Sequence, residues 1–344
     1  MMRGNVALAE GAIHAGCRYY FGYPITPQNE IPEYLSAELP KAGGTFIQAE
    51  SEIASINMMM GASAAGARVM TSSSGPGISL MQEGLSYMAG SELPGVVVNI
   101  QRIGPGLGGI AHTQGDYFQA TRGGGHGDYR TIVLAPASVQ EMFSLIIRAF
   151  ELADKYRNPA LLLADAILGQ MKEPMKIGER PEPKYPEKPW LLTGAKGRAP
   201  NLIKSLYLGD GEMEAHNWKL YRKYEQLKDE DTMLEEMFTD DADFLAVAFG
   251  SCARVVQSAI WQARSEGIRA ALLRPITLYP FPEKRLSEIT RTVKKVLTVE
   301  MNTGQMVEDV RLSVQRDAEV FLHARPGGGV PTPEEILEQI KKYH

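Results

Sequence analysis

Four short segments carry residue types that could do chemistry, and each falls where an apolar run gives way to a helical pattern. The first is Gly22-Tyr23-Pro24-Ile25-Thr26-Pro27, where two prolines fix the backbone around a hydroxyl. Thr26 reads either as the cap of a helix starting at Pro27 or as a hydroxyl facing a ligand's anionic group. The second is Gln48-Ala49-Glu50-Ser51-Glu52. Glu50 is either a helix-dipole partner or a carboxylate in a crevice, able to hydrogen-bond a cofactor ring nitrogen. The third, Ser72-Ser73-Ser74-Gly75-Pro76-Gly77, offers hydroxyls and close backbone approach; a phosphate loop and a tight turn both fit.

The fourth segment runs from Gln101 and Arg102 to Gly109. Gly104, Gly106 and Gly109 have G-x-G-x-x-G spacing, with Asp128 at about the distance of a ribose-binding acid. A dinucleotide site does not follow. Pro105 lacks an N–H, and residues 110–129 are too glycine-rich and aperiodic for the required helix. The segment reads as a loop of roughly 25 residues, a length that is uncommon without a function. Arg102 at its entrance is a fixed guanidinium suited to a carboxylate substrate or to a surface ion pair. His112, Asp116, His126 and Asp128 read as loop hydrogen-bonding groups rather than catalytic ones.

The elements that must position these residues alternate. Strands are expected over 18–22, 45–49, 68–71, 95–100, 131–135 and 160–164, and helices over 27–39, 51–65, 78–89 and 138–156. This βαβα order implies a parallel sheet with helices on both faces, and ligands then bind at the carboxyl ends of the strands. From about Lys172 to Asp241, prolines recur and a charged stretch follows. This reads as an extended linker with one polar helix over 212–236, either packed on a neighbouring domain or subunit or serving as a tether. A second α/β unit opens at 244–249. Its further strands are expected at 269–273 and 295–299, and its helices at 255–267, 282–293 and 304–314. The expected division is 1–171, 172–241 and 242–344.

Composition narrows the class. The chain has 344 residues, 44% hydrophobic and 22% charged, which excludes a disordered or low-complexity protein. A formal net charge of −5 with no basic block gives nothing for nucleic acid to bind. No run of about 18 apolar residues is present to cross a membrane. Glu10 and His14 interrupt the apolar N-terminal stretch, so a cytoplasmic location is expected. The two cysteines, Cys17 and Cys252, are too few for an iron–sulfur cluster or a structural zinc site. No metal ligands are assigned, and any redox metal is expected on another chain.

Together the segments resemble one family. Tyr23–Pro27 (YPITP), Gln48–Glu52 (QAESE), Thr71–Gly77 (TSSSGPG) and Gln101–Gly109 (QRIGPGLGG) follow the order and spacing of the α subunits of 2-oxoacid:ferredoxin oxidoreductases. Arg274–Pro282 (RPITLYPFP) and Glu300–Met306 (EMNTGQM) resemble that family's transketolase C-terminal-like domain. GPGLGG followed by Gln114–Phe118 (QGDYF) is most similar to the 2-oxoisovalerate type, although Gln28 stands where the family motif has a serine.

The resemblance implies an α/β fold: a doubly wound, pyrimidine-type thiamine-diphosphate domain followed by a transketolase C-terminal-like domain. It implies oxidative decarboxylation of a 2-oxoacid to acyl-CoA and CO₂, with coenzyme A as co-substrate and ferredoxin as acceptor. The cofactor is then shared with a β subunit that holds the diphosphate and Mg²⁺. A γ subunit and a ferredoxin-like subunit complete the complex, with 4Fe–4S clusters on partner chains only. Gly209-Asp210-Gly211 lies in the linker without a matching metal ligand and reads as a turn. Glu50 maps onto the glutamate that hydrogen-bonds N1′ of the aminopyrimidine. Thr26 and Arg102 map onto substrate-binding positions, and Tyr23 and Gly75 onto the cofactor side. The alternatives are a 2-oxoglutarate-type α subunit, a transketolase-like or 2-oxoacid dehydrogenase β-type chain, and a non-catalytic scaffold.

Overall fold

The structure, a computed structural model, describes residues 1–183 and 185–344. Its first part runs β1 (Met2–Arg3), α1 (Gly4–His14), β2 (Tyr19–Gly22), α2 (Glu30–Glu38), β3 (Thr45–Gln48), α3 (Glu52–Ala64), β4 (Val69–Ser73), α4 (Pro76–Leu80), α5 (Gln82–Gly90) and β5 (Gly95–Gln101). It continues with α6 (Tyr117–Arg122), β6 (Ile132–Leu134), α7 (Val139–Tyr156), β7 (Pro159–Asp165), α8 (Ala166–Gln170), β8 (Lys172–Glu173) and α9 (Glu212–Glu230). The second part runs β9 (Leu234–Met237), β10 (Phe244–Val247), α10 (Gly250–Ser265), β11 (Ala270–Pro275), β12 (Thr277–Tyr279), α11 (Glu283–Ile289), β13 (Lys295–Glu300), α12 (Met306–Ser313), β14 (Glu319–Ala324) and α13 (Pro333–Tyr343).

The first sheet has the order β12-β6-β7-β5-β4-β2-β3. All of its pairings are parallel except β12 on β6. Strands β5 and β7 are buried along their whole length, so they appear in the sequence as continuous apolar runs rather than alternating ones. The chain moves outward from β2 to β3, then returns past β2 to β4 and β5. That reversal makes a crevice at the carboxyl ends of β2 and β4, where such sheets bind ligands. The carboxyl ends of β3, β2, β4 and β5 therefore bring the four chemistry-bearing segments side by side.

The second sheet has the order β14-β13-β10-β11-β9, with β9 antiparallel to β11. The two sheets share a core in which Val133, Leu161 and Leu163 cluster with Leu245, Val247 and Leu273. Arg274, which opens the RPITLYP motif, is buried between the units. Its guanidinium donates to both carboxylate oxygens of Glu141 on α7 (2.7 and 2.9 Å) and to Glu235 on β9 (2.7 Å).

Two expected helices are corrected, and two further features settle or escape the pattern read from the sequence. The polar helix ends at Glu230 rather than 236, and the chain enters β9. Asp231 draws it away, because its carboxylate accepts from Arg148, Lys155 and Tyr156, each at 2.6 Å. Helix α9 packs on the first unit through buried Leu220, Tyr224 and Leu227, so it is no free tether. The helix expected over 78–89 breaks at Met81 into α4 and α5. Helix α1 carries no amphipathic signal because ten of its 11 residues are buried.

The linker is strapped to α1. Buried Glu10 accepts from Arg180 (2.7 and 2.9 Å), from Tyr34 (2.7 Å) and lies 2.9 Å from His14. Burial pushes the Glu10 carboxyl up, but the hydrogen bonds from Arg180 and Tyr34 outweigh it and leave the net shift downward from 4.5. A depressed carboxylate stabilises the fold above its unfolded value and stops doing so as pH falls through its folded value. Arg180→Ala is therefore expected to lower Tm at neutral pH. The gap from wild type should close below pH 4.5, as thermal melts across an acid series will record. Among the described residues, no helix is long and apolar enough to cross a membrane.

Candidate active site

The site is built from strand ends inward. Thr26 does not cap a helix at Pro27: α2 begins at Glu30. The Pro27 carbonyl is instead taken by side-chain amides, Asn5 at 2.9 Å and Gln170 at 2.8 Å, which hold it out of any helical turn. Thr26 is left exposed beyond β2, its hydroxyl 3.5 Å from the Asn29 amide donor.

Arg102 leaves the end of β5 and reaches back across β4. Its Nη1 donates to the Thr26 carbonyl at 3.1 Å. Gly75 sits beneath, at φ +46, and a Cβ there would meet Arg102 Cγ and Nε at 3.4 Å. Thr26, Gly75 and Arg102 are thus one cluster drawn from three strand ends. The Arg102 Nε is buried and has no partner. A buried, unpaired guanidinium N–H costs desolvation energy unless a ligand accepts it.

Glu50 stands exposed one residue beyond the Ala49 N–H, which bonds the Gly22 carbonyl at 2.9 Å. Ser51 follows as the cap of α3, accepting from Ala54 N at 3.2 Å. Glu50 is therefore fixed from both sides between strand and helix. It is not in the Arg102 cluster. Strands β3 and β5, which carry Glu50 and Arg102, are separated by β2 and β4, and the Arg102 side chain spans back only as far as Thr26 at the end of β2. Tyr23, 40% exposed at the end of β2, lies between them in strand order.

Below these residues lies a polar floor that sequence reading missed. Ser72 donates its hydroxyl to Gln28 Oε1 at 2.5 Å, so Tyr20 OH donates to Ser72 Oγ at 2.7 Å. Gln28 Nε2 and Ser74 Oγ are buried without partners. Ser73 donates to Glu52 Oε1 at 3.2 Å, and Gly77 must lack a side chain, since a Cβ would lie 2.0 Å from Ser73 Oγ. The departure at Gln28 from the family's serine was the available signal. A cavity of about 340 Å³ opens beside Thr26, lined by Pro27, Asn29, Ile110 and Gln170. A larger one of about 980 Å³, against Trp218 and Tyr221 of α9, contains none of the strand-end residues.

Of the remaining candidates, Asp116, Asp128 and the linker glycines behave as structure, whereas His112, expected to hydrogen-bond within the loop, has a buried Nε2 with no partner. No helix opens after Gly109; the next is α6 at Tyr117, so the glycine pattern is a loop. Asp116 accepts from Asn99 at 2.8 Å, and burial pushes its carboxyl up against that hydrogen bond. Asp128 accepts from Asn217 at 3.4 Å. Gly211, at φ +73, turns the chain into α9. Both cysteines are buried, and burial pushes the Cys17 thiol up to about 12.

The doubly wound sheet thus presents a carboxylate, a hydroxyl and a guanidinium at its strand ends and is joined to a second, mostly parallel α/β unit, the arrangement of an α/β enzyme that binds its ligands at strand ends. Residues 10–237 match the family model described as pyruvate flavodoxin/ferredoxin oxidoreductase, thiamine-diphosphate-binding. Residues 242–336 match pyruvate:ferredoxin oxidoreductase core domain II. The chain belongs to the 2-oxoacid:ferredoxin oxidoreductase family and is a subunit of a multi-chain oxidoreductase.

The chain is 50% identical over 343 residues to ketoisovalerate oxidoreductase subunit VorB of Methanothermobacter thermautotrophicus, covering 99% of this chain and 97% of that one. It is 39% identical over 362 residues to 2-oxoglutarate synthase subunit KorA of Methanocaldococcus jannaschii, covering 98% of each. The solved 2-oxoglutarate:ferredoxin oxidoreductase of Magnetococcus marinus, with 2-oxoglutarate, coenzyme A and succinyl-CoA bound, superposes with a TM-score of 0.89 at 31% identity. The match covers 99% of this chain and 64% of that one. A split-gene transketolase shares the fold, with a TM-score of 0.60 at 11% identity.

Proposed function

We propose that this chain is the α subunit of a complex that oxidatively decarboxylates 2-oxoisovalerate to an acyl-CoA and CO₂ and passes the electrons to ferredoxin. The observation that carries the reading is the Arg102 guanidinium, anchored on Thr26 by one nitrogen and left with a buried, unpartnered Nε. A carboxylate is the natural acceptor for such a fork. The branched-chain substrate is taken from the 50% identity to the ketoisovalerate subunit.

The residues suit thiamine diphosphate on its aminopyrimidine side. Glu50 is an exposed acceptor at a strand end, Tyr23 is exposed on the neighbouring strand end, and Gly75 leaves open the space a side chain would fill. When bound, the cofactor supplies the electron sink for decarboxylation. Glu50 then accepts the hydrogen bond of the pyrimidine ring nitrogen, and Arg102 with Thr26 holds the 2-oxoacid by its carboxylate and keto end. Holding the substrate there supplies proximity to the reacting centre.

The diphosphate and Mg²⁺ lie on a β subunit, the clusters on a ferredoxin-like partner, and a γ subunit completes a cytoplasmic complex. In this reading residues 1–171 are the pyrimidine-side unit, 172–241 the linker, whose last strand β9 joins the second sheet, and 242–344 the transketolase C-terminal-like unit, which lends β12 to the first sheet. The test is thiamine- and CoA-dependent dye reduction by the native complex with 2-oxoisovalerate, 2-oxoglutarate and pyruvate. The highest kcat/KM is expected with 2-oxoisovalerate; preference for 2-oxoglutarate overturns the substrate, and no activity with any of the three overturns the reaction.

A further inference from the structure

The loop that begins at Arg102 does not end within its own unit. Its tip, residues 104–108, is exposed, with Leu107 83% accessible. The two limbs meet where Ile103 N–H bonds the Ala111 carbonyl at 2.9 Å. Beyond that point the returning limb is held by the second unit. Thr113 Oγ1 and Gln114 N–H both donate to the Met301 carbonyl at 3.0 Å, and Met301 N–H donates back to Gln114 Oε1 at 3.1 Å. The Gln114 amide also donates to the Phe249 carbonyl at 2.8 Å, and Asn302 donates to the Gln114 carbonyl at 2.9 Å.

Gln305 finishes the clamp. Its Nε2 donates to the Gly115 carbonyl at 2.7 Å, and its Oε1 accepts from Phe118 N–H at 2.8 Å. Glu300 aims the segment that carries Gln305. Its carboxylate accepts from the N–H groups of Gln305, Met306 and Val307 at 3.2, 2.8 and 2.9 Å.

We infer that Gln305 is a positioning residue for the 2-oxoacid: together with the bonds to Thr113 and Gln114 it fixes the far limb of the loop whose near limb is Arg102. The inference rests on the substrate role proposed for Arg102. An exposed, glycine-rich tip has little packing of its own, so the freedom of the loop is set by its two anchorages. Strand β5 fixes one end, and the EMNTGQM segment of the second unit fixes the other. The Ile103–Ala111 bond carries the far anchorage to the residue after Arg102.

The test uses the assembled complex with Gln305→Met, which keeps the volume and loses both hydrogen bonds, and Gln305→Ala as a second variant. Gln315→Ala is the control: Gln315 bonds Ser287 in the same unit, away from the loop. Loosening the two bonds is expected to raise KM for the 2-oxoacid about tenfold, with kcat within about twofold and KM for CoA unchanged. Hydrogen exchange at the amides of 102–118 should quicken in both variants and not in the control. Unchanged KM in an active, assembled variant overturns the inference, as does a loss confined to the fraction of active enzyme. An inactive wild-type complex would instead overturn the proposed function. Exchange then still decides the positioning: faster exchange at Arg102 and Ile103 supports it and unchanged exchange rejects it.

Discussion

Glu50→Gln is expected to lower 2-oxoacid turnover by roughly 10²–10⁴-fold, on the scale of losing a group that supports acid–base chemistry, because an amide is a weaker acceptor for the pyrimidine ring nitrogen. The substitution keeps size and shape and replaces a charged acceptor with a neutral amide. Glu50 is exposed, and its backbone is fixed by the Ala49–Gly22 hydrogen bond before it and by the Ser51 cap after it. Thermal stability and subunit assembly should therefore be unchanged. The measurement is single-substrate turnover beside gel filtration and a melt on the same preparation. Full activity in an assembled variant removes Glu50 from the cofactor contact.

Arg102→Ala is expected to act mainly on KM for the 2-oxoacid. A hydrogen bond to a charged group contributes about 1.5–3 kcal/mol, which corresponds to roughly a ten- to hundredfold rise. The Thr26 carbonyl loses its partner, but it is at the surface and water replaces the guanidinium. Arg102→Lys should restore little, because an ammonium cannot hold Thr26 and a carboxylate with the geometry of a planar fork. KM unchanged with every 2-oxoacid would exclude Arg102 from the substrate site.

The sequence made the strand ends legible because strands buried on both faces are apolar throughout, as in GVVVNI before Arg102 and ALLLA in β7. The helix starts expected at 51 and 138 fall within one residue of those observed, where Ser51 and Ser138 prove to be the caps of α3 and α7. Thr26 misled, because Pro27 reads as a first helical residue until distant Asn5 and Gln170 claim its carbonyl. No local pattern encodes such a competition. The same limit hid the floor under the site. Ser72 is far in sequence from Tyr20 and Gln28, and only the return of the chain from β3 to β4 brings it to them. The Gln114–Gln305 clamp was hidden likewise, since its parts come from separate units. Arg274 was recognised as part of a motif, yet its task of tying β9, β11 and α7 together appears only in three dimensions.

Strand β12 belongs by sequence to the second unit and by hydrogen bonding to the first sheet. Only Ile276 separates it from β11, so one short turn stitches the two sheets together. The Ala135 N–H bonds the Ile276 carbonyl at 2.8 Å, which secures that turn as well. A hinge that parted the units would have to peel β12 from β6 and open their shared core. Jaw-like closure is therefore not available to this chain as a gate. Access to the crevice then depends on smaller features, and the exposed tip at 104–108, closed by the Gly109 N–H on the Ile103 carbonyl at 3.1 Å, is the surface segment beside Arg102. The two units are better regarded as a single cooperative block: protease should not separate them while the block is folded, and their slowest-exchanging amides should open together.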